Sequence, residues 1–255
     1  IITMPPPSSG GIHLLQMLNT MEGDDVAAMG ANSADTIHLM AESMKQAFAD
    51  RSKYLGDPDF WDVPVDALID KNYAKAIRAD IDMDRSRSAD EIAPAAKLPY
   101  ESNETTHFSV MDKFGNVVAN TTTLNFSYGS GRVAKGVGFI LNNEMDDFSA
   151  KPGSPNGYGL LGGDANAIEA GKRPLSSMTP TIVVRDGTPV LATGSPGGST
   201  IITIVTQMVM NVIDHGMNVA EATSNPRIHH QWRPDRLFHE PGLSPDTIKL
   251  LEAKG

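Results

Sequence analysis

Between residues 33 and 54 the apolar positions Ile37, Met40, Ala41, Met44, Ala47 and Phe48 recur at intervals of three and four, which predicts an amphipathic helix capped by Ser33 or Asp35. A shorter helix is expected over residues 65–81, and the charged, Ala/Pro-rich stretch 80–99 reads as surface loop. Beyond it the period changes to that of strands. Residues 105–112 and 117–124 flank a Lys113-Phe114-Gly115-Asn116 turn, and a turn centred near Phe114 pairs positions whose numbers sum to about 228. Thr105 therefore faces Thr123. An apolar strand is expected at Phe139-Ile140-Leu141, and a second hairpin at 181–184 and 190–193 across Asp186-Gly187. Ile201, Ile202, Val205, Met208, Val209, Val212 and Ile213 give the next helix a continuous apolar face that ends at Gly216. One more short helix runs from near Asn218 to before Pro226. Helical structure upstream and hairpins downstream imply layered α+β architecture with its main boundary in the 80–99 stretch.

The remaining segments are irregular. Pro5-Pro6-Pro7-Ser8-Ser9-Gly10-Gly11 reads as extended chain with a turn, and its composition is that of a linker. Residues 152–163, with two prolines and glycines throughout, read as a long mobile loop of the kind used for lids.

Composition narrows the class. The 255 residues carry a net charge of −10, which argues against nucleic acid as a partner. No apolar run reaches the roughly 18 residues that span a bilayer. Without cysteine there is no disulfide, thiol nucleophile or cysteine-ligated metal. No targeting leader is visible, and the chain reads as an internal piece of a longer product.

Candidate chemistry gathers at a few places, each with an ordinary structural reading beside it. A threonine hydroxyl is a poor nucleophile, but a cut before Thr105 would place an α-amine, with a pKa of roughly 7.7–8.0, on the same residue as base. An ordinary strand threonine is the plainer reading. Gly197-Gly198 precede a helix N-terminus, where backbone N–H groups could hold an oxyanion or simply cap the helix. Glu144, Asp146 and Asp147 form an acidic turn that could neutralise an ammonium group or lie in solvent. Ser176-Ser177 could donate to a carboxylate. The adjacent His229-His230 point different ways on regular structure and read as structural, and no metal site is expected.

Taken in order, MPPPSSGG, YLGDPDF, TTHFSV with DKFGN and TLN, NNEMDDFSAKPG, GLLGGDANAI, KRPLSSMTPTIV, GSPGGS and PRIHHQW closely resemble the γ-glutamyltranspeptidase family, bacterial type, over nearly the whole chain. The resemblance implies an αββα sandwich of the N-terminal-nucleophile hydrolases and a precursor that cuts itself at Glu104–Thr105. Residues 1–104 would be the C-terminal part of a large subunit, and 105–255 a small subunit lacking its last segment. It further implies Thr105 as nucleophile supported by Thr123, with Gly197 and Gly198 as oxyanion hole. Asn125, Glu144 and Asp147 would hold the substrate α-amine, Ser176 and Ser177 its α-carboxylate, and Tyr158 would sit on the lid loop. No cofactor is implied. The partners implied are glutathione and other γ-glutamyl compounds, acceptor amino acids, dipeptides or water, and the missing N-terminal part of the large subunit, whose arginine clamps the α-carboxylate. Periplasmic or secreted location is implied as well. A glutaryl-cephalosporin-type acylase, or a silent unprocessed fragment, is the competing reading.

Overall fold

Ser33 has extended backbone and its side chain accepts a hydrogen bond from the Thr36 N–H, so the long helix α3 (Ala34–Tyr54) starts where its cap dictates. α3 is the spine of the computed structural model, which describes residues 1–92 and 105–255. Ahead of it come strand β1 (Ile2–Thr3), helix α1 (Gly10–Met21) and the single turn α2 (Val26–Met29). The helix expected at 65–81 is broken in two, α4 (Val65–Leu68) and α5 (Lys71–Ala79). The break falls at Asp70, whose side chain accepts from the Asn72 and Tyr73 N–H groups and so begins a new helix. Part of the expected 80–99 loop is helical, α6 (Ala89–Ile92), with Ala89 fully buried. The rest of that loop, from 93, lies outside the described residues, as does Glu104.

The Phe114 turn joins β2 (Thr106–Met111) to β3 (Val117–Thr122), with Thr106 opposite Thr122 as the turn arithmetic requires. β4 (Thr181–Arg185) and β5 (Thr188–Thr193) follow, turning through Asp186 and Gly187 at positive φ. β1 pairs with β4, so the first residues of the chain complete a three-stranded antiparallel sheet, against which the β2–β3 hairpin lies. Then come α7 (Thr200–Ile213), α8 (Val219–Ser224), the short pair β6 (Ile228–His229) and β7 (Phe238–His239), and α9 (Pro245–Lys254). Asn218 and Glu221 close a reciprocal capping box at the start of α8. The strand expected at 139–141 does not form; Ile140 makes only an isolated bridge to Val133.

α1 lies between α3 and α7. Met17 and Met21 join Ile37, Met40, Met44 and Phe48 of α3, while Leu14 packs with Ile201 and Val205 of α7. α1 is buried nearly all round, its polar His13, Gln16 and Thr20 included, as a helix packed between two others must be. The proline-rich segment before it is no linker, for Ser8 and Ser9 are fully buried and Gly10 and Gly11 are helical. A Cβ on Gly10 would collide with Thr179 Oγ1 and the Met178 carbonyl, and one on Gly11 with the Met4 carbonyl. The glycines are there for close approach. Among the described residues no helix is long and apolar enough to cross a membrane.

Candidate active site

The β2–β3 register carries one step past the ladder and brings the Thr105 hydroxyl to 3.3 Å from that of Thr123. Thr123 Oγ1 also accepts from the Asn125 N–H at 2.9 Å, so it acts as acceptor toward both neighbours. Asn125 is in the left-handed region (φ 73°), a conformation asparagine tolerates better than most residues. That turn buries its side chain, whose amide donates to the Asn143 carbonyl at 3.2 Å.

The acidic turn forms a 3-10 helix, Glu144–Asp147, beside this point. Burial first, and then the charge of Glu144, push the Asp147 carboxyl well above the ordinary range, and burial raises Glu144 too. The two share a hydrogen bond, and the pair retains a proton at a pH where solvated carboxylates have lost theirs. Asp146 faces elsewhere and accepts the Gly157 N–H at 2.9 Å, anchoring the loop expected to be mobile. Pro152, Gly153 and Gly157 of that loop are exposed, but Tyr158, Leu160 and Leu161 are packed down: Tyr158 is 4% exposed, and its hydroxyl donates to the Asn125 carbonyl at 2.5 Å.

Ser176 and Ser177 are held from behind by the segment that precedes α1. Ser9 donates both its N–H (2.9 Å) and its hydroxyl (2.8 Å) to the Ser176 carbonyl. Ser176 Oγ donates to Ser8 Oγ at 2.8 Å, and Ser8 donates onward to the Met178 carbonyl. Upstream, Asp57 is fully buried and receives Arg173 through the backbone N–H (2.8 Å), Nε (2.9 Å) and Nη2 (2.5 Å). This arginine holds the Asp57 carboxyl far below the usual carboxylate range. Asn166 ties the segment carrying the two serines to the acidic turn, accepting from the Leu175 N–H at 3.0 Å and donating to the Asp147 carbonyl at 2.7 Å.

These elements enclose a small cavity of about 20 Å³ lined by Thr105, Thr123, Asn125, Asp147, Tyr158, Ser176, Ser177, Met178, Gly198 and Ile201. Of the residues singled out in the sequence, Glu144 stands beside the cavity through its bond to Asp147. Gly197 lines a different pocket, with Ile204, Phe238 and His239. Both glycines have positive φ and precede α7, and Gly198 is where Tyr158 rests: a Cβ there would strike the ring. At that volume the cavity holds little more than one water. His229 is buried and bonds Thr203 Oγ1 at 2.9 Å, as a structural histidine would, and no group of three potential metal ligands occurs among the described residues. Sequence reasoning missed Ser8, Ser9, Arg51, Asp57 and Asn166; their one signal was membership of the motif strings or of the long helix.

The family model for γ-glutamyltranspeptidase matches residues 1–255. The chain belongs to that family. It is 62% identical to a glutathione hydrolase proenzyme of Escherichia coli (strain K12), across 100% of its own length and 44% of that protein's. It thus spans under half the length of the relative it matches. Among solved structures it resembles a T380A mutant of Helicobacter pylori γ-glutamyltranspeptidase (58% identity, TM-score 0.58, 59% of this chain and 81% of that chain). It also resembles a cephalosporin acylase from Bacillus halodurans (26% identity, TM-score 0.75, 99% of this chain and 42% of that chain). The α+β, αββα-type fold expected from the sequence is the fold of these N-terminal-nucleophile relatives.

Proposed function

We propose that this chain carries most of the active site of a γ-glutamyltransferase or glutathione hydrolase that works through Thr105. The carrying observation is the Thr105–Thr123 hydroxyl pair opening into one pocket with Asn125, Asp147, Ser176 and Ser177. In the precursor, Thr105 Oγ attacks the Glu104 carbonyl; the peptide bond gives way to an ester, and water hydrolyses it. The products are the Glu104 carboxylate and a free Thr105 amine, leaving a large-subunit tail (1–104) and small-subunit residues 105–255. The proenzyme name borne by the E. coli relative supports such processing.

In turnover the Thr105 amine takes the hydroxyl proton as Oγ attacks the γ-carbonyl of glutathione or a related amide. N–H groups at Gly197-Gly198 receive the oxyanion, at roughly 3 kcal/mol per donor. Collapse passes the proton to the leaving amine and leaves a γ-glutamyl ester on Thr105, which water or an acceptor amino acid or dipeptide resolves. Asn125, Glu144 and Asp147 hold the substrate α-amine, Ser176 and Ser177 its α-carboxylate, and Tyr158 covers the bound group.

The same reading makes the remainder of the precursor a partner and puts the enzyme in the periplasm or outside the cell. Phe108, Val110, Met111 and Val118 of the β2–β3 hairpin are exposed, which supports a further segment packing there.

The likeness to a cephalosporin acylase favours one rival, a glutaryl amide substrate without the α-amine. Release of p-nitroaniline from γ-glutamyl and glutaryl anilides by the full-length processed enzyme separates the two. The γ-glutamyl donor is expected to be cleaved faster; preference for the glutaryl donor assigns the acylase reading.

A further inference from the structure

Arg51, in the last turn of α3, is almost completely buried, an unusual place for a cation. Its Nε donates to Ser9 Oγ at 3.0 Å, and its Nη2 to the Leu175 carbonyl and Ser177 Oγ, each at 3.4 Å. Burial pulls its pKa down to about 10 while the charge of Asp147 holds it up, so the guanidinium stays charged at neutral pH.

Guanidinium can only donate. A hydroxyl that accepts from it must therefore turn its own proton elsewhere. Ser9 does so visibly, for it accepts from Arg51 and donates to the Ser176 carbonyl. By the same logic Ser177, which lines the cavity, must turn its proton from Arg51 and can present it to the cavity. A hydroxyl aimed outward with a buried positive charge behind it suits a carboxylate and disfavours a neutral or cationic group.

We propose that Arg51 and Ser9 are positioning residues that make the Ser176-Ser177 segment selective for the ligand's α-carboxylate without touching the ligand. Recognition of that carboxylate is then set partly from α3 and from the segment before α1, both within residues 1–104. This rests on the reading that the pocket takes a γ-glutamyl group.

The test uses the full-length processed enzyme with two p-nitroanilide donors, γ-glutamyl and 4-aminobutyryl, which differ only in the α-carboxylate. Arg51→Lys keeps a charge but cannot reach Ser9 and Ser177 together, and Ser9→Ala removes the other half of the relay. Should Arg51→Lys fail to fold, as judged by its melting transition, Ser9→Ala gives the same readout. The kcat/KM ratio of γ-glutamyl over 4-aminobutyryl donor is expected to fall by about tenfold or more, mostly through KM for the γ-glutamyl donor. An unchanged ratio overturns the proposal, whether both donors are unaffected or both are lost in equal measure, since the latter is what a merely structural role produces. If the unmutated enzyme itself fails to prefer the γ-glutamyl donor, the substrate assignment falls and takes this inference with it.

Discussion

An ammonium group entering the cavity meets Asp147, with Glu144 bonded to it from outside the lining. Burial keeps a proton on this pair, and a cationic amine can be accepted only as that proton leaves. Binding of the γ-glutamyl donor is therefore expected to weaken as pH falls through the titration of the pair, which lies above the ordinary carboxylate range. KM should rise by up to about tenfold per pH unit on that acidic limb, the slope for uptake of one proton. Asp147→Asn should flatten the limb and raise KM by at least about thirtyfold. A KM independent of pH, or an Asp147→Asn enzyme within threefold of the parent, would count against the role given to Asp147. At this scale much was legible: the Thr105–Thr123 pairing follows from turn arithmetic because Asp112 accepts the Phe114 and Asn116 N–H groups and pins the register. Arg51 was not legible. Its partner Ser177 lies 126 positions away, and an arginine near a helix end reads as a solvated charge.

Elements were readable where one period held and unreadable where packing overrode it. α3 and α7 have uninterrupted apolar faces and capped or glycine-stopped ends, so their limits emerged within a residue or two. α1 went unseen because two glycines at a helix start look like a breaker and only the tertiary neighbours show why they are there. Gly10 admits the 176–179 segment against the helix, which holds the serine pair in place. Gly10→Ala should consequently cost about 1–3 kcal/mol by overpacking. Gly23, with open space around its missing Cβ, serves as the control: Gly23→Ala should lie within about 0.5 kcal/mol of the parent. Urea unfolding of both variants in the full-length protein decides it, and equal effects would contradict the close-approach argument.

Across the whole molecule, residues on the two sides of the Glu104–Thr105 bond are interleaved rather than juxtaposed. β1 completes the sheet of β4 and β5, α1 packs between α3 and α7, and the Ala89 N–H and carbonyl are held by Asp235 and the Trp232 indole. Scission there would leave the two parts bound through a shared core. The family and its fold class were readable from motif order, but the interleaving was not, since β1 pairs with a strand about 180 positions away. The central claim, that Thr105 becomes an N-terminal nucleophile by cutting its own chain, is tested most directly by intact mass and N-terminal sequencing of the full-length precursor and its Thr105→Ala variant. The unmutated precursor should separate into two chains, the smaller beginning Thr105-Thr106-His107, while the variant stays whole. A precursor that remains one chain after long incubation, or a variant cut at the same bond, would contradict it.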